Sequence, residues 1–212
     1  MRNQIFEAIR NGDSERVSSL IAENPVNARA RDDAGVSAIM QAIYQRKHEI
    51  VDMLRRAAGE LDVFEAAALG DSNRLRQLLR EQPDSICSFS NDGFTPLHFA
   101  SFFSQLEAAE ALLEHGADPN AVATNVTKLA VINSAAASGN AELVKMLLRE
   151  GANPDSQQEG GYTALHSAAH SNNSEMVQAL LDAGANPSIR TNDGKTAADM
   201  AGPEVAKLLG KD

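Results

Sequence analysis

The sequence repeats itself with a fixed spacing. Gly151 and Gly184 lie 33 residues apart, as do Gly161 and Gly194, and a Leu-Leu-x-x-Gly-Ala segment occurs three times. A period near 33 residues indicates a repeat protein, in which each unit buries its apolar face only against copies of itself. The length of 212 residues therefore does not decide the fold class, because a stack of repeats has no upper size set by a single core.

The repeat around residues 91–120 is the best preserved, and its residues predict a turn followed by two helices. Asp92 and Gly93 favour a tight turn, since Gly tolerates a positive φ. Thr95 can accept a hydrogen bond as the N-cap of a helix whose first position is Pro96. A second helix follows, and Gly116 is placed to end it as a left-handed C-cap.

The segment Thr95-Pro96-Leu97-His98 and the period of 33 resemble the ankyrin-repeat family over almost every residue. The resemblance implies an all-α solenoid of stacked helix-turn-helix units with short β-hairpin-like fingers, acting as a protein-binding scaffold or adaptor. It also implies that His98 and His166 tie a helix start to the adjacent finger. Alignment predicts one domain over residues 1–212, with seven units at about 2–30, 33–58, 60–88, 91–120, 126–155, 159–188 and 192–211.

The spacing departs from the period between the second and third units. The turn glycines Gly35 and Gly59 lie only 24 residues apart, so residues 55–62 have no room for a finger. We expect one helix to pass into the next there, with Gly59 at or near the C-cap. Asp62 and Glu65 have the spacing of an acidic capping box.

A second departure lies between the fourth and fifth units. The spacing grows to 35 residues from Gly93 to Lys128, and the Asp-Gly turn is missing, which predicts a longer, irregular finger. Ala130 and Asn133 stand where Thr and His occur in the fourth unit. The pattern therefore predicts a helix pair without side-chain capping at its start.

The charge is unevenly distributed and limits the classes of partner. The net charge is −10; residues 1–58 carry +1 and residues 59–212 carry −11. Nucleic-acid binding requires clustered Lys and Arg, so we expect no nucleic-acid partner and favour an apolar or basic protein segment. The acidity also fits a simple role in keeping an Ala-rich stack soluble. Cys87 is the single cysteine, and we expect a cytoplasmic protein without a signal peptide or membrane span.

In the ankyrin family the partner binds in a concave groove formed by finger tips and first helices. Five of the nine aromatic residues fall at groove positions, and clustered exposed aromatics are typical interface anchors. Two alternatives stay open for Phe102 and Phe103: cover by the loop that bears Val122 and Val126, or by a second copy of the chain. The predicted partner-binding residues are Val36, Tyr44, Gln45, Leu69, Phe94, Phe102, Phe103, Leu129, Tyr162 and His170.

Signals for catalysis are weak. The five histidines and the single Cys87 are scattered, so the sequence predicts no metal site, no cofactor and no catalytic residue. We therefore expect a non-enzymatic interaction module. A small-molecule or cofactor carrier that uses the same groove is the alternative, although an open groove buries less of a ligand than a pocket does. The leucines at 97, 112, 113, 147, 148, 180 and 181 are predicted to form the layers between repeats.

Overall fold

The computed structural model describes residues 2–210. These residues divide into two compact units, which meet in the sequence between Ala66 and Ala67. The division of the chain into seven repeats within one domain stays a prediction, and residue 211, at the end of the last predicted repeat, lies outside the described residues.

The first unit contains two helix pairs, α1 and α2, then α3 and α4. Asp13 caps α2 by accepting a hydrogen bond from the N–H of Arg16, and Ser37 caps α3 by accepting one from Met40. A short finger lies between the pairs, closed by a bridge between Arg31 and Ser37. The helices span Arg2–Asn11 (α1), Ser14–Glu23 (α2), Ala38–Tyr44 (α3) and His48–Ala58 (α4), with a 3-10 turn at Pro25–Arg29. Their shared core contains the fully buried Ile5, Ile9, Leu20, Ile39, Ile50 and Leu54.

The missing finger is confirmed. Helix α4 ends with Gly59 as its C-cap at a φ of 79°, and α5 (Val63–Leu69) begins after a short connection. The predicted capping box is also present. The N–H of Glu65 donates to Asp62 Oδ1 at 2.8 Å, and the N–H of Asp62 donates to Glu65 Oε2 at 3.0 Å. Spacing alone therefore located both the helix end and the next helix start.

The second unit continues with helix pairs that stack through their first helices and through their second helices. Helix α7 contacts α9, which contacts α11; likewise α8 contacts α10, which contacts α12. Together with the helix pairs of the first unit, these stacks confirm the all-α class. The helices span Ser72–Glu81 (α6), Pro96–Phe102 (α7), Leu106–Glu114 (α8), Val131–Ser138 (α9), Ala141–Arg149 (α10), Ala164–His170 (α11), Ser174–Asp182 (α12) and Pro203–Leu208 (α13), with 3-10 turns at Pro83–Cys87, Glu159–Gly161 and Ala197–Asp199.

The predicted leucine layers are correct for only one leucine of each pair in the second helices. Successive helical residues point about 100° apart, so both members of a Leu-Leu pair cannot face the same neighbour. The first member is fully buried, whereas the second is only half-buried and lies at the margin of the core. The buried set is Leu97, Leu112, Leu147 and Leu180; the half-buried set is Leu113, Leu148 and Leu181.

The fingers of the second unit are joined by backbone hydrogen bonds. The N–H of Thr124 donates to the carbonyl of Gly93 at 2.9 Å. Gly93 has a φ of 87°, and a Cβ placed on it would lie 2.9 Å from the backbone nitrogen of Asn125, so no larger residue fits. The next finger is long, with Lys128 at a φ of 48°, and the N-cap of α9, Ala130, provides no side-chain hydrogen bond, as predicted.

Candidate protein-binding surface

Phe102 and Phe103 form the most accessible aromatic pair of the second unit. Phe102 is the last residue of α7 and Phe103 is its C-cap, so both side chains project where the helix ends. Their rings lie 5.2 Å apart between centroids, edge to face at 89°. The side chain of Phe102 is 48% exposed. The loop residue Val126 is itself 85% exposed, so that loop does not cover Phe102.

Phe94 and Tyr162 are half-buried, and each contacts a histidine. The ring of Phe94 lies 5.7 Å from that of His98 and 5.8 Å from that of Phe99, and the ring of Tyr162 lies 5.9 Å from that of His166. Phe99 is 3% exposed and belongs to the core, as expected. Phe94 and Tyr162 therefore pack against residues of their own repeats and remain partly accessible to solvent.

The other second-unit candidates differ in accessibility. Leu69 is half-buried at the C-terminal end of α5, and Leu129 is half-buried just before α9. The carbonyl of Leu129 accepts a hydrogen bond from His98 Nε2 at 2.9 Å, so its backbone has a structural role. His170 ends α11 and is exposed.

Three candidates lie in the first unit. Tyr44 is exposed at the end of α3, and Gln45, the C-cap of that helix, is half-buried. Val36 is half-buried in the finger, where its N–H donates to Asp32 Oδ1 at 2.9 Å. These side chains are reachable from solvent, and their role in binding a partner stays a prediction.

His98 is fully engaged within the fold. Its Nδ1 accepts a hydrogen bond from the N–H of Thr95 at 3.2 Å, and its Nε2 donates to the carbonyl of Leu129. This pattern requires the neutral imidazole, and burial lowers the pKa of His98 below its ordinary value of 6.5. Neither ring nitrogen is therefore available to act as a base or a metal ligand.

His166 repeats the arrangement. Its Nδ1 accepts from the N–H of Thr163 at 3.2 Å, and its Nε2 lies 3.2 Å from the carbonyl of Lys195, to which it donates. Burial again lowers the pKa of the imidazole. The structural role that the family resemblance implied for the two histidines is confirmed.

Sequence reasoning missed two polar links that replace histidine. Asn133, at the His position of its repeat, donates from Nδ2 to the carbonyl of Ser156 at 3.2 Å. Glu65 accepts from Ser37 Oγ at 2.6 Å in addition to closing its own capping box, and burial raises its pKa. The substitution at 133 was visible in the alignment, whereas the contact between Ser37 and Glu65 joins residues 28 positions apart and has no sequence signal.

Among residues 2–210, no cluster of His, Cys, Asp and Glu side chains has the arrangement of a metal site. No helix in that range is long and apolar enough to cross a bilayer.

Over the aligned segments, curated relatives are 27–33% identical to this chain. A rat protein, ankyrin repeat and SAM domain-containing protein 6, is 33% identical over 49% of this chain and 12% of its own length. The human DNA-binding protein RFXANK is 32% identical over 55% of this chain and 48% of its own. A putative ankyrin repeat protein of fowlpox virus is 27% identical over 77% and 39%, respectively. The chain thus spans less than half of each of these relatives.

Family models match two parts of the second unit. Residues 92–124 match the model described as ankyrin repeat, and residues 132–212 match the model described as ankyrin repeats in three copies. The two matches together cover more than half of the chain. They coincide with the fingers and helix pairs that carry the Thr-Pro-Leu-His segment and its variants. The chain is an ankyrin-repeat protein.

Proposed function

We propose that the protein is a non-enzymatic interaction module that binds a partner protein on the aromatic-bearing face of its second unit. Ankyrin repeats in general mediate protein–protein interaction. The observation that carries the proposal is the Phe102–Phe103 pair, in which a large ring stays about half exposed at a helix end. Exposed aromatic side chains at such positions are typical anchors of protein interfaces.

The charge around this pair favours a basic or apolar partner segment. Between Arg80 and Lys128 the chain contains seven carboxylates and neither Lys nor Arg. Such a run of one sign attracts a basic segment and increases its rate of association at low ionic strength. Phe102 and Phe103 lie in the middle of this run and would supply the apolar contact. Leu69, Leu129 and His170 extend the proposed surface along the unit.

The proposal is tested by affinity capture from an extract of the source cell, followed by calorimetry with the purified partner. The double variant Phe102→Ala/Phe103→Ala should weaken binding by about 2 kcal/mol or more, because both anchors are removed. Circular dichroism should show the variant folded, since neither side chain is core. Leu208→Ala removes an exposed leucine in α13 and should bind like the wild type. Unchanged affinity of the double variant would exclude this face as the binding site.

Experiments on the same purified protein test two other classes of ligand, small molecules and DNA. Native mass spectrometry would reveal a retained small molecule, which would favour the carrier function. One relative is named as a DNA-binding protein, so a labelled DNA duplex should also be titrated. We expect no duplex binding at physiological ionic strength because the second unit has a large excess of carboxylates.

A further inference from the structure

A cavity of about 290 Å³ lies in the second unit, between the 3-10 turn Pro83–Cys87 and the segment that follows α8. Two large apolar side chains beside it are unusually accessible: Phe89 is 45% exposed and Val122 is 47% exposed. The lining is mainly apolar and includes Ile86, Cys87, Phe89, Leu97, Ala117 and Val122. The cavity is separate from the side chains of Phe102 and Phe103, which do not line it.

The two repeats that follow fill the corresponding position with a polar bridge. Four fingers of the second unit are closed by hydrogen bonds from the N–H groups of Ser90, Ala123, Gln158 and Thr191. The residues three positions earlier are Cys87, Asn120, Asp155 and Ser188, respectively. Asn120 carries a carboxamide and Asp155 a carboxylate, whereas Cys87 carries a thiol and Ser188, in the last of these fingers, a hydroxyl.

The polar side chains at this position hold neighbouring repeats together. Asn120 Oδ1 accepts from the N–H of Asn153 at 2.8 Å, and Asn120 Nδ2 donates to the carbonyl of Gly151 at 2.9 Å. Asp155 Oδ1 accepts from the N–H of Asn186 at 2.8 Å. Each bridge spans the space between two successive segments.

Cys87 does not make this bridge. Its thiol donates instead to the carbonyl of Asp84 at 3.3 Å, a weak hydrogen bond within its own turn. By register, the N–H of Asp118 corresponds to those of Asn153 and Asn186. Within the described part of the chain it has no hydrogen-bond acceptor, and Asp118 is exposed. The space that a bridge would fill is left open, with a backbone donor at its edge.

The charged residues around the cavity favour a bound segment of positive charge. Asp118 lines the cavity and Asp84 lies in the adjoining turn. Both belong to the run between Arg80 and Lys128 that contains no Lys or Arg. Apolar lining combined with carboxylates at the rim fits a segment that carries an apolar side chain between basic residues.

We propose that this cavity is a second docking site, which receives an extended basic segment of a partner protein. One aliphatic side chain of the segment occupies the space beside Cys87 and Phe89. A backbone carbonyl of the segment accepts a hydrogen bond from the N–H of Asp118, as the side chains of Asn120 and Asp155 accept from the corresponding N–H groups in later repeats. Lys or Arg side chains on either side of the apolar residue face the carboxylates of Asp84 and Asp118.

The first experiment uses three fluorescent pentapeptides and anisotropy at about 0.15 M ionic strength. The sequences are Lys-Arg-Leu-Lys-Arg, the same peptide with Ser in place of Leu, and Glu-Asp-Leu-Glu-Asp. The basic Leu peptide should bind about tenfold or more tightly than the Ser peptide, because only the former buries an aliphatic side chain. The acidic peptide should not bind. Absence of binding by the Leu peptide, or equal binding of the Leu and Ser peptides, would overturn the proposal.

The second experiment changes the cavity itself. Cys87→Asn introduces an amide that can accept from the N–H of Asp118, so it should fill the space, weaken the Leu peptide by about tenfold or more and raise the unfolding midpoint. Cys87→Ala leaves the space open and should bind within about twofold of the wild type. If Cys87→Asn does not fold, Phe89→Ser removes the rim contact and should weaken binding instead. Wild-type affinity in whichever of these two variants folds would contradict the docking site.

The third experiment uses the only thiol in the chain as a reporter. Cys87 is exposed, so iodoacetamide should alkylate it readily in the free protein. Saturating Leu peptide should slow the alkylation, as measured by intact mass, whereas the Ser peptide at the same concentration should not. The Phe102→Ala/Phe103→Ala variant should retain both peptide binding and protection, which separates this site from the proposed aromatic-bearing face. An alkylation rate unaffected by the bound Leu peptide would place that peptide elsewhere and refute the proposal.

Discussion

The two units of the chain use different chemistry to fix the start of a helix and to link it to a neighbour. In the first unit, the carboxylate of Glu65 accepts hydrogen bonds from the N–H of Asp62 and from Ser37 Oγ. One buried side chain thus closes its own helix start and reaches back to the start of α3. Burial raises the pKa of this carboxyl, and the neighbouring charge of Asp62 adds to the effect.

In the second unit, a neutral imidazole performs the same two tasks. His98 accepts from the N–H of Thr95 and donates forward to the carbonyl of Leu129. Burial lowers the pKa of His98, because the charged form would lose solvation. In both units a buried polar group closes a helix start and links it to a neighbouring segment. The chemical identity of that group determines how each unit responds to pH.

A buried leucine should contribute equally to stability in the two units. Removing one should have the largest effect on the free energy of unfolding. Leu54 and Leu147 are both fully buried in second helices. Truncation of either residue to Ala should lower the free energy of unfolding by about 2–5 kcal/mol, because a cavity remains in a packed interior. Urea denaturation of the two variants provides the measurement. A loss below about 0.5 kcal/mol at either site would mean that the repeat register assigned there is wrong.

The histidine link should contribute less than a core leucine. His98→Ala leaves the N–H of Thr95 and the carbonyl of Leu129 without their partner, which should cost about 1–3 kcal/mol. His98→Asn is the matched control, since Asn133, at the same position of the next repeat, also donates forward, although to the carbonyl of Ser156, which lies earlier in its finger than the carbonyl that His98 uses. Its free energy of unfolding, measured by the same urea titration, should fall by less than that of His98→Ala. Equal losses for Ala and Asn would indicate that ring packing against Phe94, rather than the forward hydrogen bond, stabilises this site.

The carboxylate link should tolerate a neutral replacement. In Glu65→Gln the amide oxygen can accept from the N–H of Asp62 while the amide nitrogen donates to Ser37 Oγ, so the free energy of unfolding should change by less than about 1 kcal/mol at neutral pH. Glu65→Ala removes both contacts and should cost about 1–3 kcal/mol. If Glu65→Gln lowers the free energy of unfolding as much as Glu65→Ala, the first unit requires the ionised carboxylate. The carboxylate and imidazole links would then share only their geometry.

The parts of these links that sequence could predict are local. Spacing located the missing finger at Gly59 and the capping box of Asp62 and Glu65, because both depend on residues within a few positions. The contact between Ser37 and Glu65 depends on how two helix starts pack, and no periodicity encodes it. The same limit applies to the Leu-Leu pairs, whose unequal burial follows from helix rotation against a neighbour.

For the candidate surface, alignment predicted that Phe102 lies on the first helix of its repeat but not that Phe94 packs against His98. Side-chain contacts across a finger decide that packing, and they depend on the finger conformation. The cavity beside Cys87 was equally hidden. The register of Cys87 with Asn120 and Asp155 follows only from the hydrogen bonds that close the fingers.

The smallest expected effect is the opposite pH response of the two links. His98 and His166 have pKa values lowered from 6.5, so the stability they provide is complete above pH 6.5 and is lost as the pH falls through their folded pKa values. Glu65 has a pKa raised from 4.5, so its favourable contribution is complete below pH 4.5 and declines as the pH rises through the folded pKa. The histidine and carboxylate links therefore give the free energy of unfolding pH dependences of opposite sign.

The two pH dependences can be separated by comparing the free energy of unfolding of the wild type with that of a variant at each pH. The free energy of unfolding should be measured by urea titration across the acidic to neutral range for the wild type, His98→Asn and Glu65→Gln. The difference between the wild type and His98→Asn should become more favourable to the wild type as the pH rises towards 6.5, because only the wild type must keep a buried imidazole neutral. The difference between the wild type and Glu65→Gln should become less favourable to the wild type as the pH rises above 4.5, because only the wild type must ionise a buried carboxyl. Parallel profiles for all three proteins would mean that neither link senses pH, and the chemical contrast between the units would then have no energetic consequence.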